Sequence, residues 1–365
     1  MTDIQSTQSI LPPSDADFFP ENKSTWFNES TYVDYLGINP SHSYLYPSEV
    51  AQTLNDRILT LSFKAAIELN SELFQDKTVL VLDSGIGLFS LLAAQNGARK
   101  VLSVCGNATL AKYATKIASE NGYANVIDTV AMDIKDIVLP YKVDIIICNW
   151  MGDFLLHNSL LQDLIYARDN FLDKNGLILP DKATMYLAGI EDVEYKKEKL
   201  GMWNDVYGID MNCVEKESLC SPLVDVVNSK AILTTISPIY SIDAYTVKLS
   251  DLNFSNEYEL VFLRKDTMCG FVSWFDVKFS SLPNHVKFTT GPYNESTKFR
   301  QVIFYTEDNE RVNKGDIVRG SICGRINTML SDMKGIDVKI SYRYHKKNDV
   351  SRSEAQTKVQ MYKIL

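Results

Sequence analysis

From about Ser48 to Leu73 the apolar residues Val50, Leu54, Ile58, Leu61 and Phe63 recur at helical spacing and predict an amphipathic helix. Beyond it, short apolar runs alternate with helical stretches: TVLVLD, then LFSLLAAQNG, KVLSVC, ATLAKYATKIASENG, VDIIICN and SLLQDLIYARDNFL. Continuously apolar strands joined by crossovers of this length predict a parallel sheet covered on both faces, in a doubly wound, Rossmann-like domain running to about Leu179. After Pro180 the pattern turns to strands, TMYLAGIEDV, KAILTTI, YTVKLSDL, GFVSWFDVKF, RQVIFYTED and DVKISYRYH, separated by Gly, Pro, Asn and Asp. These predict a second, antiparallel β domain.

The expected organisation is therefore a disordered tail over residues 1–23, rich in Ser, Pro, Asp and Gln, and an N-terminal helical segment over 24–74. The Rossmann-like domain occupies 75–180 and the β domain 181–365. Within the latter, Tyr195 to Cys220 reads as an insertion with a short helix and exposed aromatics.

Composition narrows the function. No run approaches the ~20 apolar residues of a membrane helix, and the N-terminus lacks a signal-peptide pattern, so a cytosolic or nuclear location is expected. The six cysteines, Cys105, Cys148, Cys213, Cys220, Cys269 and Cys323, are scattered without a C-x-x-C pair, which argues against a disulfide framework and a metal site. A net charge of −9 without a basic block gives no footprint for direct nucleic-acid binding and favours a basic protein or peptide partner.

The first candidate chemistry is Ser84-Gly85-Ile86-Gly87, set between a strand and a helix N-terminus, where backbone amides and the helix dipole suit a cofactor. Two glycines there also suit a plain tight turn. The segments that follow are more specific: CNWMGDFLLHNSLLQDLIYARDNFLDKNGLILPDKATMYLAGIED, then WNDVYGIDM, PLVDVV and QVIFYTED, in that order. Over roughly residues 48–345 the chain resembles the type I protein arginine methyltransferases. The resemblance implies a Rossmann-like S-adenosylmethionine-dependent methyltransferase domain, then an antiparallel β-barrel domain carrying a helical dimerisation arm.

Moving a methyl group from a sulfonium to a protonated guanidinium brings two positive centres together, so negative charge must be supplied. The family supplies it with two glutamates, one just before Trp-Met-Gly and one nine residues later. Here those positions are Asn149 and Asn158. Each amide forfeits a charge-assisted contact of about 1.5–3 kcal/mol. Asp153 is a poor replacement, and His157 reads as a capping or surface residue rather than a base. The family's Thr-His-Trp motif reads Thr297-Lys298-Phe299, with Lys298 either a cation near a cationic substrate or a solvated surface lysine.

On the donor side, the acidic residue ending the first strand falls on Val81 and the first loop glycine on Asp83, although Gly85 and Gly87 remain. The ribose-binding acid falls on Cys105, the arginine that pairs with the methionine carboxylate on Leu59, and the acid near the adenine on Lys135. With the scaffold kept and the charges lost, the resemblance implies a regulatory, prozyme-like subunit. It is expected to bind no cofactor itself and to pair as a hetero-oligomer with an active paralogue that holds S-adenosylmethionine and acts on Arg-rich proteins. The arm residues Trp203, Tyr207, Ile209 and Met211 would form the interface. The alternatives are an active methyltransferase with a divergent site and an independent homodimeric scaffold.

Overall fold

The computed structural model describes residues 47–327, 335–347 and 356–364. The expected tail over 1–23 lies outside the described residues. The first elements are α1 (Pro47–Asn55) and α2 (Arg57–Glu68). The single helix predicted from periodicity is thus two helices, broken at Asp56, whose carboxylate caps α2 by accepting from the Leu59 N–H at 3.0 Å. The break resets the apolar stripe. Leu59, Phe63, Ala66 and Ile67 are buried, while Leu54 and Leu61 face solvent.

The parallel sheet follows as β1 (Thr78–Leu82), α3 (Leu88–Gln95), β2 (Lys100–Val104), α4 (Ala108–Glu120), β3 (Ile127–Val130), β4 (Val143–Cys148), α5 (Leu161–Phe171) and β5 (Leu172–Leu179). Its strand order is β3-β2-β1-β4-β5, with all neighbours parallel. Central β1 is buried along its whole length, which is why it reads as an unbroken apolar run. Two motif residues that match the family hold this layer to the next. Trp150 Nε1 donates to Pro180 O at 3.1 Å, and Arg168 Nη1 donates to Ala244 O and Val247 O at 2.9 and 2.8 Å.

The sheet type changes between Leu179 and β6 (Lys182–Ile190). The antiparallel part continues with β7 (Leu223–Asp225), β8 (Ser237–Asp243), β9 (Phe254–Val261), β10 (Asp266–Phe279), β11 (Val286–Thr289), β12 (Gln301–Val312), β13 (Ile317–Asn327), β14 (Gly335–His345) and β15 (Lys358–Ile364). One sheet runs β7-β12-β10-β6-β8, with β11 paired to β10, and the other runs β15-β14-β13-β9. They meet through rings: Phe271 packs edge-on against Tyr258 and Tyr342, and Phe304 against Tyr362, at centroid distances of 5.7, 5.6 and 5.0 Å. The expected Rossmann-like layer and barrel-like layers are both present.

Two predicted strands are not strands. KAILTTI forms a 3-10 turn at Ser229–Ala231 and then isolated bridges, Ile190 to Ile232 and Thr234 to Phe262. YTVKLSDL forms a turn and a 3-10 helix at Leu249–Leu252, because Asp243 accepts from Tyr245 N–H and Asp251 from Lys248 N–H, which draws the backbone out of a ladder. The true strands β8 and β9 flank it. The insertion holds two short helices rather than one, α6 (Val193–Leu200) and α7 (Glu215–Leu219), with 3-10 turns between them.

Asp181 sits at the change of sheet type and is almost fully buried. Its carboxylate accepts from Ser280 N–H at 2.5 Å and Ser280 Oγ at 2.6 Å, and its carbonyl accepts from Ala244 N–H at 2.8 Å. Asp181→Ala leaves two donors beside β10 without partners and is expected to cost about 2–4 kcal/mol in urea unfolding. A loss below about 0.5 kcal/mol contradicts this role.

Candidate functional site

The C-terminal end of β1 opens into a loop whose conformation suits few residues. Asp83, Gly85 and Gly87 have φ of 47°, 54° and 89°. Ser84 N–H donates to Val104 O at 2.9 Å and Gly87 N–H to Ser84 O at 2.8 Å, so the loop is pinned to β2 and closed on itself before α3 begins. At Gly87 a Cβ would also lie 3.3 Å from Ala114 Cβ of α4, so the positive φ and a tight neighbour both favour glycine there. An aspartate is tolerated at positive φ better than most side chains, and Asp83 occupies that region.

A cavity of about 50 Å³ lies beside this loop, with Val50, Thr53, Asp83, Ser84, Phe89 and Asn149 among its lining residues. A second, of about 30 Å³, is lined by Asp83, Val104, Met132, Asp133, Ile134 and Asp163, among others. Asp83 therefore touches both. Its Oδ2 is buried without a hydrogen-bond partner among the described residues. Burial raises its carboxyl from the ordinary 3.8 to about 7, against the opposing field of Lys298 and with a smaller push from Asp163.

Of the sequence candidates, the structure brings Asn149, Asp83 and Gly85 to one cavity. Asn149 is buried at the end of β4, its Oδ1 also without a partner. Asn158 is exposed, at φ 53°, and does not line that cavity. The loop between them carries positive φ at Phe154 and Leu155 as well. Gly152 makes it possible, since a Cβ there would meet His157 O at 1.8 Å. His157 is buried, not a surface residue as expected, with Nδ1 3.9 Å from Asp153 Oδ2.

Leu59 and Val81 are fully buried in the core and line neither cavity. Cys105 is buried at the end of β2, its Sγ 3.5 Å from Asn107 O; burial raises its thiol to about 11, so it is neutral near pH 7. Lys135 is exposed, with Nζ 3.7 Å from Asp163 Oδ1, while Asp133 and Asp163 themselves line the second cavity. Those two carboxylates were not singled out from the sequence, where neither falls on a recognised motif position.

Lys298 is not a solvated surface lysine. Its N–H donates to Asp56 Oδ2 at 2.8 Å, its Nζ to Thr53 Oγ1 at 3.2 Å, and Nζ sits 5.1 Å from the Phe299 ring centre. In the arm, Tyr207 and Ile209 are exposed as expected and Met202 joins them, but Trp203 and Met211 are half-buried, with Met211 N–H bonded to Trp203 O at 2.9 Å.

A doubly wound sheet whose first strand ends in a glycine loop, followed by a barrel-like pair of antiparallel sheets, defines a two-layer methyltransferase-type protein. Residues 181–347 match the family model described as the arginine methyltransferase oligomerization subdomain. The protein arginine N-methyltransferase 1 of Dictyostelium discoideum is 37% identical over 319 residues, covering 87% of this chain and 91% of that protein. The namesake in Schizosaccharomyces pombe is 38% identical over 316 residues, covering 86% and 91%. Among solved structures, the Trypanosoma brucei PRMT1 enzyme-prozyme heterotetrameric complex with AdoHcy superposes with a TM-score of 0.82 at 32% identity, covering 88% of this chain and 100% of that one. The chain belongs to the protein arginine methyltransferase family.

The raised Asp83 carboxyl makes stability depend on pH. The folded protein holds this proton up to about pH 7 and the unfolded chain releases it near 3.8, so the contribution present at low pH is lost as pH rises through 7. Asp83→Asn, which keeps the shape and accepts positive φ, is expected to stabilise by about 2–4 kcal/mol at pH 8 and by only about 0.5 kcal/mol at pH 4. Equal effects in chemical denaturation at the two pH values contradict the assignment.

Proposed function

We propose that this chain is a non-catalytic, prozyme-like subunit that pairs with an active paralogue and supports its methylation of Arg-rich proteins. The observation that carries the reading is Asn149, a buried neutral amide on the cavity where arginine chemistry needs a carboxylate. Asn158 adds no charge there either.

The residues present do not fit S-adenosylmethionine. A buried leucine stands at 59 in place of an arginine for the donor's carboxylate, and a buried neutral thiol stands at 105 in place of a carboxylate for two ribose hydroxyls. A carboxyl-bearing residue occupies position 83, in the loop where backbone would approach the donor. Two such lost contacts at about 1.5 kcal/mol each lower affinity about a hundredfold, and the side chain at 83 adds to that loss. The arm supports partnership: Met202, Tyr207 and Ile209 present apolar surface to solvent on the insertion. The Trypanosoma brucei neighbour is itself an enzyme-prozyme complex, which makes pairing of this kind a natural reading for a chain so similar in shape.

A second reading, an active arginine methyltransferase with a divergent site, is favoured by the 37–38% identity to proteins named as such. Co-expression with an active paralogue separates the two. The proposal expects a stable mixed complex whose methyltransferase activity exceeds that of the paralogue alone, with Tyr207→Ala/Ile209→Ala weakening the complex at least tenfold. Methyl transfer by the purified chain alone, or failure to co-purify, contradicts it.

A further inference from the structure

The outer face of the β15-β14-β13-β9 sheet sets two like charges side by side. Arg319 of β13 and Arg343 of β14 are direct cross-strand partners, so their side chains leave the same face with Cβ atoms about 4.5–5.5 Å apart, an arrangement that destabilises unless an anion answers it. That face is the outer one, because the residues beside them along the strands, Val318 and Tyr342, are buried. Glu259 of β9 supplies half of the answer: its Oε2 lies 2.5 Å from Arg319 Nε, and both side chains are about half exposed. Arg343 is half-buried and makes no ion pair among the described residues.

Both arginines line an open groove of about 750 Å³, within the span of about 300–1,000 Å³ usual for ligand clefts. The next pair on this face, Ser321 and Ser341, lines it too, with the two hydroxyls bonded to each other at 2.7 Å. His345, two residues beyond Arg343 on the same face of β14, and Thr357, just before β15, add an N–H and an O–H donor on that side. The acids that line the groove, Glu257 and Glu259, both belong to β9 and stand across β13 from Arg343. The anion-seeking end of the groove is therefore the β14 side. A carboxylate brings two oxygens and one charge, which a single guanidinium fork uses up. A phosphate monoester brings three terminal oxygens and nearly two charges, enough for both arginines and a third donor. We propose that this groove binds a phosphorylated serine or threonine of a peptide, its phosphate bridging Arg319 and Arg343 while the flanking residues occupy the rest of the groove.

The test titrates an acetylated Ala-Ala-phosphoserine-Ala-Ala amide into the full chain by calorimetry, beside the unphosphorylated peptide and inorganic phosphate. The expected result is saturable binding of the phosphopeptide, at least tenfold tighter than inorganic phosphate, with none of the unphosphorylated peptide. Arg343→Gln and, separately, Arg319→Gln are each expected to weaken the phosphopeptide at least tenfold, and Arg343→Lys, which keeps the charge and loses the fork, at least threefold. No saturable binding, equal affinity for the phosphorylated and unphosphorylated peptides or for inorganic phosphate, or unchanged binding in both glutamine variants overturns the proposal. The comparison of peptides on the unaltered chain decides the matter even where a variant folds poorly. The proposal stands independently of the pairing reading, which the co-expression experiment tests with substitutions in the arm and a different readout.

Discussion

One buried carboxylate, Asp56, sets the geometry on which the cavity depends. Its Oδ1 accepts from Leu59 N–H at 3.0 Å and so starts α2; its Oδ2 accepts from Lys298 N–H at 2.8 Å and so fastens the helix pair to the barrel loop. Thr60 Oγ1 on α2 donates back to Thr53 O at 3.0 Å, which fixes α1 against α2. Val50 and Thr53 are thereby placed as walls over the loop after β1. Burying a carboxylate is costly unless both oxygens are answered, and here backbone amides from two distant parts of the chain answer them.

The same rule explains what the rest of the site does and does not offer. Family residues that serve the scaffold are present and engaged: Trp150 bonds Pro180 O, Arg168 bonds two carbonyls beyond β8, and Gly152 lets His157 O approach. Positions where the family resemblance places charge toward substrate or donor hold Asn149, Leu59 and Cys105, each buried and uncharged at neutral pH. Among the described residues the cavity holds one carboxyl, Asp83, which stands in the glycine loop itself.

Much of this was legible in the chain. Strands β1, β2 and β4 announced themselves because both faces are covered, which forces unbroken apolar runs such as TVLVL, whereas β3 (IDTV) and β5 (LDKNGLIL) carry polar, partly exposed positions and were not legible as strands. Strand β13 escaped notice because Gly320 and Gly324 interrupt IVRGSICGRIN. Those glycines are where neighbours press closest, since a Cβ would lie 1.8 Å from Ser341 O at one and 2.4 Å from the Phe254 ring at the other. Conversely, KAILTTI and YTVKLSDL carry strand-forming residues, but the local Asx turns and cross-layer bridges around them won. At the site, motif spacing pointed to Asn149 and Asp83, which line one cavity, and to Cys105, which is buried at the end of β2 and lines neither. It could not say that Asn158 faces outward, that His157 is buried, or that Asp133 and Asp163 come together on a second cavity, because those facts depend on how distant loops pack.

We propose that this scaffold has given up its donor site. Calorimetric titration of the isolated chain with S-adenosylmethionine tests it most directly. The account predicts no saturable heat up to millimolar donor, and a dissociation constant in the micromolar range would contradict it.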